Sequence, residues 1–402
     1  MRREVPAPDV RGLAFGLLCA VLAGAAVRAD AQARTVSGYY QNVALGVGAA
    51  NGERASALDA QRARLMWTPA SGALSLGVAY EHTLVWGDAG DAGGSAEPLG
   101  AVTSGDDWLH LGWTVHQGTR VSWRHRFDRL SLSYARGPVT ATIGRQAVSW
   151  ATTLFLSPAD PFVPFDPSDP FREYRTGIDA ARVQWYAGQL TVVDLVVRGA
   201  DTPGGRTVTA LIRGKTQLRG WELSAWGGRL HDEAAAAIGV TGTAAGSAIR
   251  AEAEVRRDTA DRSVVRAAFG VDRRFSVLGR DLYAVVEYQH DPFGASRPSD
   301  LAAAATSPAA ARRELQVFGQ DEVAAQGSYQ LHPLVSAELL TLWNLRDASA
   351  IVSPALSISL TSEMNLRVGA FLPTGAGASP AGPRSEYGAR PNSAYVAFSV
   401  FF

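Results

Sequence analysis

The feature that most constrains this chain is an alternation of apolar and polar side chains at every second position, repeated along most of its length. In residues 248–258, "AIRAEAEVRRD", Ile249, Ala251, Ala253 and Val255 alternate with Arg250, Glu252, Glu254 and Arg256. "DRLSLSYARG" sets Leu130, Leu132 and Tyr134 against Arg129, Ser131 and Ser133, and "LTVVDLVVRG" sets Val193, Leu195 and Val197 against Asp194 and Arg198. "EMNLRVGAF" repeats the pattern with Met364, Leu366, Val368 and Ala370 against Asn365, Arg367 and Gly369. An extended strand sends successive side chains to opposite faces, so each segment carries one greasy and one hydrophilic face. Helical periodicity is almost absent, and the expected class is all-β.

The connections are uneven in length. Tight turns are expected at 136–138, 187–189, 276–280 and 331–333, whereas 88–106, 150–176, 291–313 and 373–392 are long and rich in Gly, Ala, Ser, Pro and Asp. Two architectures accept such strands. A soluble sandwich turns the polar face to bulk water and packs the other on a core. A transmembrane barrel turns the apolar face to lipid and the polar face to a wet lumen. The number of strands without a second core favours the barrel. So do the small residues on many apolar faces and the aromatic residues near strand ends: Trp67, Trp86, Trp150, Trp185, Tyr186, Trp343 and Phe371.

The first residues read as a targeting signal. Arg2, Arg3 and Arg11 precede an apolar run over 13–26, and Ala31-Gln32-Ala33 offers a small-x-small cleavage site. The run is about 14 residues against the roughly 20 that a spanning helix needs, which argues against a membrane anchor. Leu17 and Leu18 before Cys19 argue against a lipoprotein. We therefore expect a signal peptide over 1–33 and a barrel over 34–402. Cys19 is the only cysteine, so no disulfide is expected in the mature chain. Formal net charge is zero, which gives no electrostatic preference for nucleic acid.

The final segment, "NSAYVAFSVFF", alternates to its last residue, with Tyr395, Ala397, Ser399 and Phe401 on one face and Val396, Phe398, Val400 and Phe402 on the other. A signal peptide, repeated alternating hairpins and this ending resemble bacterial outer-membrane β-barrels of the porin kind. The resemblance implies an antiparallel transmembrane barrel in outer-membrane lipid, with a last strand ending at Phe402 that is read by the barrel assembly machinery and closes against the strand near 39–47. Single-chain bacterial barrels have even strand numbers. Nineteen candidate strands can be drawn; treating 108–115 ("WLHLGWTV") as loop leaves about 18, with 16 as the alternative, and places the long loops outside the cell. Trimers are common among porins, and the resemblance leaves a homotrimer open.

The most distinctive stretch is 150–176. Pro158, Pro161, Pro164, Pro167 and Pro170 forbid ladder continuity there, and Asp160, Asp166, Asp169 and Glu173 lie close in sequence to Arg172 and Arg175. Its placement resembles the third, inward-folded loop of general porins, which implies a constriction where opposed charges select what passes. An exterior loop with solvated charges is the competing expectation. Lumen-wall candidates are Arg182, Asp194, Arg198, Arg250, Glu252, Glu254 and Arg256, both signs being represented. No H-E-x-x-H or G-x-S-x-G occurs, the Asp-Pro repeats lack calcium-loop spacing, and "RGKT" at 213–216 lacks the glycine of a phosphate loop and reads as a turn. No catalytic residue, metal or cofactor is expected. The expected activity is passive diffusion of small hydrophilic solutes, the alternative being a non-conducting barrel with a structural or binding role.

Overall fold

The computed structural model describes residues 36–402 except 51–53, 88–106, 163, 165–168, 170, 172, 203, 258–261 and 381. The expected signal segment lies outside the described residues. Eighteen antiparallel strands form one closed barrel. They are β1 (Val36–Val47), β2 (Ser56–Trp67), β3 (Leu74–Gly87), β4 (Val121–Arg136), β5 (Val139–Gln146), β6 (Ile178–Tyr186), β7 (Val192–Thr202), β8 (Gly205–Leu218) and β9 (Trp221–Leu230) in the first half. The second half holds β10 (Glu233–Ala244), β11 (Ser247–Arg257), β12 (Ser263–Val277), β13 (Arg280–His290), β14 (Asp321–His332), β15 (Val335–Asn344), β16 (Ser349–Ser359), β17 (Met364–Thr374) and β18 (Ser393–Phe401). Each pairs with its sequence neighbour, and β18 closes on β1 with Tyr39 opposite Phe401 and Val47 opposite Ser393. Closure leaves no strand edge to be satisfied by lipid, which cannot hydrogen-bond.

The alternation sorts side chains as the sequence requires, but inside out relative to a soluble protein. Ile238 is 67% exposed and Ile143 64%, whereas Glu287 and Glu322 are fully buried and Arg256 and Glu254 are 1% exposed. Buried charge with exposed aliphatics is sustainable only where the outer solvent is apolar and the interior supplies partners. Trp67, Trp86, Trp185, Tyr186 and Trp343 are exposed, as expected of interfacial aromatics. Trp150 and Phe371 are not. Trp150 is buried on the lumen side, and Phe371 packs inward against Tyr395.

One rim carries short turns and the other carries the long loops. At the first, Arg219-Gly220, Ala245-Gly246 and Leu278-Gly279 have positive φ at both positions, the backbone that a two-residue hairpin with the strands' own twist demands. The "RGKT" segment is not a turn: β8 runs through it to Leu218, and the turn follows at Arg219. At the loop rim the wall has a notch. β5 and β6 span only 8 and 9 residues, and above them Gly112–Gln117 pairs with the upper half of β4 while Asp107 bridges Ala200 of β7. The "WLHLGWTV" segment is therefore neither a spanning strand nor a free loop. It mends the wall where the chain has turned inward.

Candidate functional site: a lumen crossed by one loop

The inward turn starts at Gly144. Its φ is +110°, and a Cβ there would sit 2.3 Å from the Leu130 carbonyl oxygen, so the bend needs glycine. Beyond Gln146 the chain leaves the wall and enters the barrel. Val148, Trp150, Ala159 and Phe162 pack on inward-facing Val196, Leu211, Trp226 and Ala237. The indole of Trp150 donates to Asp194 (3.2 Å) and that of Trp226 to the Ala159 carbonyl (3.2 Å). The tip then reaches the wall nearly opposite its origin, where Leu156 fits among Val317, Ala324, Leu342 and Tyr387. On the return, Phe171 packs edge-on against Tyr395 (ring centroids 4.7 Å apart), and Tyr174 stacks on Tyr39 at 6.0 Å beneath the Arg64 guanidinium. Apolar side chains on the lumen face of β6–β10 are therefore the loop's landing surface.

The predicted loop residues divide by role. Asp160 is 4% exposed and serves the loop itself: it accepts from Ser149 Oγ (2.8 Å), the Trp150 amide (3.0 Å), the Phe162 amide (3.2 Å) and Arg175 Nη1 (2.8 Å). Asp169 is buried and accepts from the Phe171 amide. Glu173 is exposed to the lumen, and the Arg175 side chain is partly so. Asp166 and Arg172 lie outside the described residues.

The predicted wall residues all face inward, mostly in pairs. Arg182 binds Asp194, and Arg250 pairs with Asp272. Arg198 is buried, with Ala180 of β6 as a cross-strand neighbour. Glu254 accepts from Arg256 (2.8 Å) and Arg266 (3.3 Å), Arg256 reaches Glu314 (2.8 Å), and Arg266 reaches Asp291 (2.7 Å), tying β11 and β12 to the loop at 291–320. Burial alone would raise the Glu314 carboxyl, but Arg256, His231 and Arg266 hold it below the ordinary range. His231, in the turn between β9 and β10, is lowered to about 4 because burial disfavours its cation. Glu252 is turned on the loop backbone and has no such pairing among the described residues.

A second charged cluster was not anticipated. Arg62, Arg64, Arg126 and Arg129 converge on Glu81 and Asp128, with Arg64 at 2.7 Å from Asp128 and 3.1 Å from Glu81. The sequence shows Arg62 and Arg64, and Arg126 and Asp128, each at i and i+2, which says nothing about partners 17 and 64 residues away. Between the loop and the wall of β15–β18 a cleft of about 250 Å³ remains, lined by Phe171, Glu173, Ser336, Ser357, Asn365 and Arg367. Arg367 is held by Glu338 (2.7 Å) and the Tyr395 hydroxyl (3.2 Å).

Together, a closed apolar-belted wall, a charged interior and an inward-folded loop define an outer-membrane β-barrel of the porin type. Among solved structures, Pseudomonas aeruginosa OpdK with vanillate superposes with a TM-score of 0.53 at 10% identity, covering 91% of this chain and 98% of that one. Acinetobacter baumannii OccAB4 gives 0.52 at 8% identity over 91% and 97%, and Pseudomonas aeruginosa OccK2 (OpdF) gives 0.52 at 12% over 91% and 97%. At such identities the likeness is one of fold. No family model matches the sequence, and no curated protein matches it.

Proposed function

We propose that this protein is a channel of the bacterial outer membrane through which small hydrophilic solutes diffuse passively, with the loop at 150–176 as the constriction. The observation that carries this reading is the loop's path: it leaves the wall at Gln146, crosses to Glu252 and Glu287, and returns past Tyr39, so solutes must pass beside it. The cleft beside β15–β18 is the passage. Glu173 and Arg367 supply charges of opposite sign there, and Ser336, Ser357 and Asn365 supply neutral hydrogen-bonding groups. Asp160 and Asp169 shape the loop, and no residue is assigned to bond-making chemistry. OpdK, which shares the fold, was solved with vanillate, so small aromatic acids belong among the first solutes assayed.

Purified barrel in a planar bilayer should give stepwise currents, and deletion of 153–172 should raise the step size. Persistent electrical silence of well-folded protein would favour the non-conducting alternative. Unchanged steps after deletion would reject the constriction while leaving the channel.

A further inference from the structure

Six peptide N–H groups of the loop tip end on two wall carboxylates. Glu252 Oε2 accepts from Thr152 (2.7 Å) and Thr153 (3.4 Å) and its Oε1 from Ala159 (3.0 Å), so one carboxylate ties both ends of the tip. Glu287 Oε1 accepts from Leu154 (2.6 Å) and its Oε2 from Phe155 (2.7 Å) and Leu156 (3.0 Å), taking the apex. Successive backbone amides turned on one anion form a concave site of the kind that otherwise holds phosphate. Here the anion belongs to the wall.

A second observation is independent of these bonds. Each glutamate has a glycine as one of its two cross-strand partners: Glu252 lies between Gly239 and Ala268, and Glu287 between Gly270 and Ala324. A Cβ on Gly239 would lie 2.3 Å from Thr152 Oγ1, and one on Gly270 would lie 2.8 Å from Glu287 Cγ. Each carboxylate thus has an empty neighbouring position that lets it, or the loop it holds, lie flat on the wall. Gln316 adds a third side-chain contact to the tip: its amide accepts from the Ser157 N–H (2.6 Å) and donates to the Phe155 carbonyl (2.6 Å).

We infer that Glu252 with Gly239 and Glu287 with Gly270 form a two-point latch that positions the loop tip across the lumen and thereby sets how wide the passage is. The inference rests on the channel reading for its effect on conduction, but not for its effect on the loop. Both oxygens of each carboxylate are in use, and a carboxamide offers one acceptor and would oppose its NH2 to a peptide N–H. Glu287→Gln should free the apex while the Glu252 contacts and the Trp150–Phe162 packing keep the loop's base in place. The residues are positioning residues, since they touch the loop and not the passage.

The test uses full-length protein in a Cys19→Ser, Ser157→Cys background. Ser157 is 2% exposed, and cysteine is nearly its isostere. In the parent, a membrane-impermeant maleimide should react slowly. With Glu287→Gln the reaction should accelerate about tenfold or more, as expected when buried amides lose their acceptors. Glu252→Gln and Gly270→Val, the latter leaving both carboxylates intact, should each accelerate it too. Heat-modifiable migration on a gel confirms that each variant is a closed barrel. A Glu287→Gln barrel that migrates normally but labels at the parental rate overturns the latch; should that variant fail to close, the same outcome in Glu252→Gln or Gly270→Val overturns it. In bilayers the released variants should show larger or noisier steps. Silence in every protein, parent included, would count against the channel reading, and labelling would still decide the latch.

Discussion

Arg145 and Asp179 form a two-point ion pair (2.8 and 2.7 Å) on the outer side of the barrel wall, yet both are buried. Register requires the outward placement: Leu130, which is exposed, lies directly opposite Arg145, and Arg145 directly opposite Asp179. The pair is covered by the segment that mends the notch. Asp107 lies 2.8 Å from Arg145, and the Leu109 amide donates to Asp179 at 2.8 Å. Trp108 and Leu109 turn outward, and the indole lies on Gly199, where a Cβ would come within 2.3 Å of the ring. An apolar flap therefore hides a charge pair from lipid.

Removing one member of this pair should be worse than removing both. Arg145→Met should destabilise the barrel by about 3–5 kcal/mol, because Asp179 is left buried and unpaired, while Arg145→Met with Asp179→Leu should recover much of the loss. Denaturant unfolding in detergent or liposomes measures this. Protease cutting within 107–117 should rise in the single variant only. Equal loss in single and double variants would show that the flap is held by its own packing.

The outer belt predicts a contrast between faces. Ile238→Arg, on the most exposed of these outward aliphatics, should cost about 2–4 kcal/mol if its level is near the bilayer centre. Ser357→Arg, on the cleft, should change stability little and conductance more. Unfolding titrations read the first and single-channel recordings the second. The reverse order of stability loss would mean that the two faces have been exchanged.

Closure between β1 and β18 depends on Gly38. Its amide donates to the Phe402 carbonyl (2.8 Å) and its carbonyl accepts from the Phe402 amide (3.0 Å). A Cβ at Gly38 would meet the Arg64 carbonyl oxygen at 2.2 Å and the Phe402 ring at 2.8 Å. Gly38→Val should therefore open the seam and abolish, or shift to lower temperature, the heat-modifiable band. An unchanged band would show that the seam can move apart without opening.

Acid should loosen the loop rim near His231. Its ordinary value of 6.5 falls to about 4 in the fold, so the unfolded chain binds the proton first as pH drops. Stability from this group is complete above 6.5 and declines as pH falls toward 4. Glu314 acts in the same direction at lower pH, since its lowered value means that protonation removes the Arg256 and Arg266 interactions. Thermal midpoints in detergent should decline between pH 6.5 and 4, and His231→Gln should flatten that decline. A His231→Gln profile parallel to the parent would assign the decline elsewhere.

The strands were legible because lipid and lumen impose one rule on every hairpin. Phe371 shares parity with Arg367 and Gly369, the inward face of β17, so its inward packing was available from the sequence. Trp150 was not, because the positive-φ bend at Gly144 takes the chain off the wall before the indole is reached. Single inward apolar residues on successive strands, Val196, Leu211 and Trp226, mark where the loop lands, but only once their strands are known to be neighbours of the loop. The role of Glu252 depends on peptide groups brought to it from 93 to 100 residues away, and composition or spacing carries no trace of such partners.

The notch ties two excursions of the chain to each other. A strand that abandons the wall to enter the pore leaves a hole facing the bilayer, and another excursion must supply the patch. Grafting the inner excursion alone onto a related barrel would thus create a leak between lumen and lipid, and exchange of pore character between such proteins has to move plug and patch as one unit.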